Sequence, residues 1–167
     1  VQVQGWQTLG NKLYNFAGPG GSALTNEWQK HPENVPDETV YWAYLGADGA
    51  ALTTLLELDG EKYCFDPAGR HRTGIINIDG AVYNFSVGDK SAALKNKGVT
   101  AEENKRSYFG GDGKAYTGAQ TVSNENGEGS DIYLFDTDGV MQVGKATAPD
   151  GKLYFLGEDG KAARNTW

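Results

Sequence analysis

Tyr108-Phe-Gly-Gly-Asp-Gly113 is the stretch that decides the fold, because it closely repeats the earlier stretch Tyr44-Leu-Gly-Ala-Asp-Gly49. Related stretches recur along the chain, each with a tyrosine, apolar neighbours and a turn residue. The recurring tyrosines are Tyr14, Tyr44, Tyr63, Tyr83, Tyr108, Tyr133 and Tyr154, separated by 30, 19, 20, 25, 25 and 21 residues. Self-similarity at a period of about 20 residues is typical of repeat architectures, in which one small unit is stacked many times.

A residue suited to a tight turn follows each recurring tyrosine after five or six positions. These residues are Gly20, Gly49, Gly69, Asp89, Gly113, Gly139 and Gly160. Glycine, and less readily aspartate, adopts the positive φ that hairpin turns require. A second short stretch follows, as in Gly113-Lys-Ala-Tyr-Thr-Gly118. We therefore interpret each unit as a β-hairpin, formed by the tyrosine strand and the stretch after it, plus a connector.

The strand residues predict how these hairpins are held together. Tyr83 and Phe85 lie two positions apart, so they share one strand face. A lone two-stranded hairpin is marginally stable in water, which means that the aromatic faces must stack on neighbouring hairpins. The sequence thus predicts an all-β fold, a β-solenoid of about seven stacked hairpin repeats. We expect a single repeat domain over residues 1–167, with units near 5–28, 39–58, 59–78, 79–98, 105–122, 130–147 and 150–167, and loop insertions at 29–39 and 120–130.

Composition excludes several classes of protein. The 167 residues include 24 glycines, and 15 Lys and Arg against 22 Asp and Glu give a net charge of −7. Such a charge argues against binding to nucleic acid or to an anionic membrane. No stretch reaches the roughly 18 apolar residues of a membrane span, so no membrane insertion is expected. The chain begins at Val1 without a signal peptide, and we expect a fragment whose targeting signal, if any, lies upstream.

No catalytic residue, cofactor or metal site is expected from the titratable residues. The two histidines, His31 and His71, belong to no recognisable nucleophile or metal motif. Asp136-Thr-Asp138-Gly139 has the start of a calcium loop but lacks its remaining ligands, and hairpin turn chemistry explains the recurring Asp-Gly pairs. Cys64 is the only cysteine and is expected to be a structural thiol.

The repeat resembles the cell-wall-binding repeats of secreted Gram-positive proteins, also called choline-binding or glucan-binding repeats. The resemblance rests on tandem matches such as Gly5-Trp6-Gln-Thr-Leu-Gly-Asn-Lys-Leu-Tyr14-Asn-Phe16 and Thr73-Gly74-Ile-Ile-Asn-Ile-Asp79-Gly80-Ala-Val-Tyr83-Asn-Phe85, and it extends from Gly5 to Trp167. In choline-binding members, aromatic side chains of adjacent hairpins form cages that hold a quaternary ammonium by cation–π attraction.

This sequence departs from the family pattern at the cage positions. The tryptophan that follows Thr-Gly in the family is replaced by Leu55, Ile75, Ala119 and Lys145. The aromatic residues that remain as candidate ligand-binding residues are Trp6, Trp28, Trp42, Tyr44, Tyr116 and Trp167. The recurring Tyr and Phe pairs are interpreted as core instead.

The resemblance implies a non-catalytic module that anchors a larger secreted protein to the bacterial surface through several weak aromatic sites. The implied partners are cell-wall polysaccharide, teichoic acid or glucan, with choline as a further candidate, and the implied location is the cell wall. An alternative is a structural spacer or protein-interaction solenoid, like the receptor-binding end of an adhesin or toxin, that has lost choline binding. The parent protein could also be a wall hydrolase or a glucan synthase.

Overall fold

The computed structural model describes residues 4–31, 41–88, 90–101, 105–124 and 127–163, and these residues form mostly short strands. In chain order the strands are β1 (Gly5–Leu9), β2 (Lys12–Phe16), β3 (Glu27–His31), β4 (Tyr41–Leu45), β5 (Leu55–Leu58), β6 (Glu61–Phe65), β7 (His71–Arg72), β8 (Gly74–Ile78), β9 (Ala81–Phe85), β10 (Lys97–Ala101), β11 (Lys105–Phe109), β12 (Gly118–Ser123), β13 (Ser130–Phe135), β14 (Gly144–Thr147) and β15 (Leu153–Leu156). The described part contains one helical element, the 3-10 turn Pro19–Gly21, and no helix there has the length and hydropathy to cross a bilayer. The predicted all-β class is confirmed.

The described strands pair into seven small sheets, each built on one hairpin. The pairs are β1–β2, β3–β4, β5–β6 with β7 added, β8–β9, β10–β11, β12–β13 and β14–β15. Two-stranded sheets have little interior of their own, so each hairpin depends on its neighbours for stability.

Each tyrosine strand forms its hairpin with the strand before it, which corrects the pairing expected from the sequence. In β5–β6, for example, Leu56 lies opposite Tyr63. The two strands are joined by Asp59 and Gly60, whose φ angles are 53° and 77°. Positive φ at both central residues matches the twist of a two-residue hairpin, and Asp-Gly is a preferred sequence for it. The hairpin turn is therefore this Asp-Gly pair, and the glycine after the tyrosine marks a second turn.

After β4, β9, β11, β13 and β15, the following segment folds back on the tyrosine strand and also contacts the preceding hairpin. Single antiparallel bridges join Leu45 to Ala51, Phe85 to Ala93, Phe109 to Ala115, Phe135 to Met141 and Leu156 to Ala162. The bridging residue donates its N–H to the preceding hairpin, from Ala115 to Val82 O at 2.7 Å and from Met141 to Arg106 O at 2.7 Å. The same link joins Ala51 to Leu13 O, Ala93 to Lys62 O and Ala162 to Ile132 O.

Strands reach into both segments that were expected to be loops, 29–39 and 120–130. β3 ends at His31, and β12 continues to Ser123 with alternating half-buried and exposed side chains. β13 then begins at Ser130. The polar composition of these segments suggests loops. Antiparallel strands can carry many polar residues as well, because one of their faces can be exposed to water. Residues 32–40, 125 and 126 lie outside the described residues.

The chain divides into two compact units. Unit 1 comprises residues within 1–74 and 85–93, and unit 2 comprises residues within 75–84 and 94–167. A core cluster of unit 1 consists of Ala43, Leu45 and Ala51, and one of unit 2 consists of Leu134, Ala148 and Leu156. Each unit therefore has its own small apolar interior.

The recurring phenylalanines occupy the interior, as the strand pattern predicts. The buried members are Phe65, Phe85, Phe109 and Phe135. Phe16, in the first hairpin, is half-buried, and Phe155, in the last, has 60% of its surface exposed. Cys64 is also buried, and burial raises the pKa of its thiol. This environment is that of an inert structural cysteine.

The second turn brings successive hairpins into close contact. Gly139 has a φ of +76°, and a Cβ added to it would lie 2.6 Å from the Cβ of Ala115, the bridging residue of the preceding hairpin. Gly69 has the same relation to Ala51, at 2.8 Å. All six glycines predicted to mark turns after a tyrosine have positive φ, which confirms that assignment. Asp89, at the remaining turn position, lies outside the described residues.

Replacement of Gly139 by alanine tests this contact. We expect G139A to lose about 2 to 4 kcal/mol of unfolding free energy, from left-handed backbone strain together with the clash against Ala115. Gly151 provides the matched control, since its φ is +83° but nothing lies within 4 Å of an added Cβ. G151A should lose only the backbone contribution, about 1 to 2 kcal/mol. Urea denaturation measures both, and equal losses would contradict close packing at Gly139.

Candidate functional site

An aromatic cluster lies in unit 1 around Trp28. The pairing of β3 with β4 places Trp28 directly opposite Tyr44. From the Trp28 ring centroid, the rings of Tyr44, Tyr63, Phe65 and His71 lie at 5.5, 5.1, 5.5 and 5.6 Å. Three of these contacts are edge-on, a favourable geometry for aromatic pairs. Trp28 and Tyr44, both predicted to bind ligand, therefore meet inside a filled cluster.

The other tryptophans predicted to bind ligand have different surroundings. Trp6 lies 4.7 Å from the ring of His31 and packs against the core cluster of unit 1. Trp42 faces the ammonium of Lys90 at 4.0 Å. Trp167 lies outside the described residues. Within the described part of the chain, the predicted tryptophans thus do not converge on one cage.

Unit 2 repeats the cluster of unit 1 with one decisive change. Corresponding positions are occupied by Tyr44, Tyr63, Phe65 and His71 in unit 1 and by Tyr108, Tyr133, Phe135 and Met141 in unit 2. Opposite Tyr108, however, the partner strand carries Gly98, where unit 1 has Trp28 opposite Tyr44. Because glycine has no side chain to fill this position, a cleft of about 620 Å³ opens beside Tyr108.

Polar side chains complete the lining of this cleft, which we call the Gly98 cleft. They are Arg106, Ser107, Ser123, Asn124, Asp159 and Lys161. Lys161 Nζ pairs with Asp131 Oδ2 at 3.0 Å, and this hydrogen bond raises the pKa of Lys161. Arg106 Nη2 donates to the carbonyl of Glu158 at 2.6 Å. Neighbouring groups therefore hold both cationic side chains in position.

The Gly98 cleft combines flat apolar surfaces with fixed hydrogen-bonding groups. Burial raises the pKa of Tyr133, so its hydroxyl is neutral and can both donate and accept a hydrogen bond. Apolar walls with a few convergent polar groups are typical of small-molecule sites. The two cations that line the cleft, Arg106 and Lys161, are offset by Asp159 in the lining and by Asp131, the partner of Lys161. The cleft is therefore close to neutral and suits an uncharged ligand with several hydroxyls.

Tyr116, the unit 2 residue predicted to bind ligand, supports the cleft instead of lining it. Its ring stacks on that of Tyr108 at 5.2 Å and meets Phe135 edge-on at 6.0 Å. The sequence pattern predicts a core position for Tyr133 and the recurring phenylalanines, and it gives no indication of a role for Arg106. A glycine opposite a recurring tyrosine is the signal that indicates the cleft. This signal can be recognised only when the strand register is known.

The two histidines and the turn aspartate Asp136 have packing or hydrogen-bonding roles in the fold. His31 stacks on Tyr41 at 4.6 Å, and His71 belongs to the Trp28 cluster. Asp136 Oδ1 accepts hydrogen bonds from the N–H groups of Asp138 and Val140 at 3.0 and 2.9 Å, as expected of a turn aspartate. Across the residues that the structure describes, no three His, Cys, Asp or Glu side chains are grouped to hold a metal.

His71 makes the stability of unit 1 sensitive to pH. Burial lowers the pKa of His71 from its ordinary value of 6.5, while a contact of 3.1 Å between Nε2 and Ser91 O opposes this shift. Below the unfolded pKa of about 6.5, the unfolded chain binds more protons than the folded chain. The stabilisation is therefore complete above that pH and is lost as the pH falls through the lower, folded-state pKa.

The H71F variant tests this linkage, because phenylalanine keeps an aromatic ring in the cluster but cannot be protonated. We expect the unfolding free energy of the unsubstituted protein to fall more steeply between about pH 7 and pH 5 than that of H71F. Urea denaturation at a series of pH values gives both slopes. Identical slopes would show that His71 has the same pKa in the folded and unfolded chains.

Comparison with known proteins identifies relatives among streptococcal proteins. No family model matches the chain. It is 30% identical over 161 residues to glucosyltransferase-S of Streptococcus mutans serotype c (strain ATCC 700610 / UA159), a match that covers 95% of this chain and 10% of the relative. Glucosyltransferase-I of Streptococcus downei is 29% identical over 161 residues, covering 85% of this chain and 10% of the relative. The chain thus spans about a tenth of these relatives.

Solved structures with the same fold include choline-binding protein F from Streptococcus pneumoniae. The TM-score is 0.66 at 24% sequence identity, and the match covers 99% of this chain and 53% of that protein. Another crystal structure of that protein was determined in the presence of a peptidoglycan analogue, a tetrasaccharide-pentapeptide, and matches with a TM-score of 0.64. The likeness extends over nearly the whole of this chain.

Proposed function

Because the chain belongs to the choline-binding and glucan-binding repeat family of Gram-positive bacterial proteins, we propose that it is a non-catalytic module that binds cell-wall polysaccharide or glucan. The observation that carries this proposal is the Gly98 cleft, where Tyr108, Tyr133 and Phe135 provide ring surfaces beside fixed polar groups. A sugar ring has an apolar face, which can stack on the aromatic rings of the lining. Its hydroxyls can form hydrogen bonds with the polar side chains of the lining.

The lining of the cleft favours polysaccharide over choline as its ligand, because two cationic side chains, Arg106 and Lys161, lie beside its aromatic rings. Asp159 and Asp131, the partner of Lys161, offset their charges. A quaternary ammonium is held best by aromatic faces without a competing cation. The relatives are glucosyltransferases by name, and choline-binding protein F was crystallised with a peptidoglycan analogue. These associations support a sugar polymer as the ligand.

Stacked repeats supply the scaffold in this proposal. Within each unit, the hairpins form a short β-solenoid, supported by the backbone hydrogen bond that recurs from each bridging residue to the preceding hairpin. The division of residues 1–167 into seven repeats belongs to the same proposal. Weak sites on several repeats would raise the overall affinity for a repetitive polymer by effective concentration.

The biological role follows from the ligand and the family. The module retains a larger secreted protein at the bacterial surface by binding polysaccharide of the cell wall. An activity of the parent protein, such as glucosyl transfer or wall hydrolysis, would reside in another part of that protein.

A structural spacer or protein-interaction surface is the second candidate function. It is favoured by the unit 1 tryptophans, since Trp28 is enclosed by other rings and Trp42 is covered by Lys90. On this alternative, the repeats would keep their packing residues without binding polysaccharide.

The G98W variant distinguishes the two functions by filling the cleft as Trp28 fills unit 1. An added Cβ at Gly98 meets Tyr108 Cδ2 at 3.5 Å, an ordinary contact, so the backbone at this position accepts a side chain. We expect equilibrium binding to purified cell wall or to glucan to weaken by at least about tenfold, or 1.4 kcal/mol. G98A is the matched control and should bind within about twofold of the unsubstituted protein, because a methyl group leaves the cleft open.

Two results would count against polysaccharide binding at the cleft. If G98W binds as tightly as the unsubstituted protein, polysaccharide binds elsewhere. If the unsubstituted protein binds neither wall nor glucan, the spacer function is favoured. Circular dichroism of G98W and G98A verifies that all samples are folded.

A further inference from the structure

Gly98 lacks the backbone conformation that explains the turn glycines of this chain. Gly69 and Gly139 have φ angles of +80° and +76°. Gly98 lies within strand β10, outside the left-handed region, and a Cβ added to it makes only ordinary contacts, the nearest at 3.5 Å. Glycine weakens the interior of a strand, and there it often marks a place where a ligand approaches closely. The effect of Gly98 is to leave space beside Tyr108.

This space corresponds to the one that the Trp28 indole occupies in unit 1. Trp28 lies opposite Tyr44 in its hairpin, as Gly98 lies opposite Tyr108. The rings that surround the indole have counterparts in the lining of the Gly98 cleft, with Tyr108, Tyr133 and Phe135 in place of Tyr44, Tyr63 and Phe65. Unit 2 therefore keeps the aromatic walls of an indole site without the indole.

Met141 suits an aromatic ligand at the remaining wall of the cleft. The corresponding residue of unit 1 is His71, which meets Trp28 edge-on with the ring centroids 5.6 Å apart. Met141 is half-buried and lines the cleft. A methionine side chain is flexible, and its sulfur makes favourable contacts with aromatic rings. The exchange of histidine for methionine thus keeps a contact for a ring that enters from solvent.

The charged groups of the cleft also suit an indole. Arg106 and Lys161 lie in the lining, where Glu158 O and Asp131 hold them in position. A guanidinium or ammonium is attracted to the face of an aromatic ring, and indole is the best of the side-chain rings in this respect. The indole N–H is a donor only, and the Asp159 carboxylate of the lining can accept its hydrogen bond.

We propose that the Gly98 cleft binds an indole ring in the space that Trp28 fills in unit 1. The ring is supplied either by a free indole compound or by a tryptophan side chain of a peptide, because the recognised group is the same. This inference goes beyond the binding of polysaccharide and does not depend on it, since the enclosing aromatic side chains recognise the ring.

Met141 provides a direct measurement of indole binding, because it is the only methionine of the chain. When the methionine methyl group is isotopically labelled, one NMR signal reports on the cleft. A bound indole should change the chemical shift of that signal through its ring current, and titration gives the Kd. We expect the Kd of indole to be lower by about fivefold or more than that of cyclohexanol, measured by its competition with indole, because a saturated ring lacks aromatic contacts.

Variants of the cleft locate the bound ring. G98W supplies an indole from the chain itself and should weaken the binding of free indole by at least about tenfold. G98A is the matched control and should bind indole within about twofold of the unsubstituted protein, because a methyl group leaves the space for the ring open. Y108L removes one aromatic wall and should weaken binding by about threefold or more, which gives an independent test if G98W does not fold.

Three results would overturn the proposal. They are an unchanged Met141 methyl signal at high indole concentration, equal affinities for cyclohexanol and indole, and unweakened indole binding by G98W or, if G98W does not fold, by Y108L. N-acetyl-tryptophanamide then distinguishes the sources of the ring. Binding within about threefold of indole supports a tryptophan side chain of a peptide, and weaker binding supports a free indole compound. Polysaccharide is absent from these titrations, so a failure of polysaccharide binding leaves their outcome unchanged.

Discussion

The hydrogen bond from each bridging residue to the preceding hairpin is the interaction on which the rest of the structure depends. A two-stranded hairpin cannot bury enough apolar surface to be stable alone. The N–H of Met141, bonded to Arg106 O, holds two hairpins together by backbone atoms, independently of side-chain identity. Gly139 completes the contact, since no larger residue could approach Ala115 so closely. The five links of this kind among the described residues have similar lengths, 2.7 to 2.8 Å.

What fills the space between hairpins differs between the two units and determines whether it is a core or a site. The residue opposite the recurring tyrosine is Trp28 in β3 and Gly98 in β10. The indole of Trp28 makes four aromatic contacts and closes the space, whereas Gly98 leaves a cleft beside Tyr108. A single position on the partner strand thus converts a structural cluster into a candidate binding cleft without a change in backbone pairing.

The same reasoning explains why the aromatic residues of unit 1 are poor indicators of ligand binding. The ring of Trp28 packs against neighbouring rings, and the ring of Trp42 makes a cation–π contact with a lysine of its own unit. The stacking and cation–π interactions that bind ligands to aromatic side chains also form with other parts of the protein. Composition therefore identifies which residues can bind sugars or cations, but packing decides whether their surfaces are available.

The sequence by itself determined the all-β class, the turn glycines and the interior positions of Phe65, Phe85, Phe109 and Phe135. These features follow from local chemistry, namely positive φ at glycine and the two-residue alternation of a strand. It also carried the family resemblance, which the comparisons confirm. The Asp-Gly pairs before the tyrosine strands and the glycines after the tyrosines all suit hairpin turns. Only the tertiary structure therefore decided which strands pair. The register of β10 and β11 places Gly98 opposite Tyr108, and the tertiary fold brings Lys90, which lies outside the strands, over Trp42. Neither placement follows from local chemistry, because register depends on the pairing of whole strands and the second contact joins residues far apart in the chain.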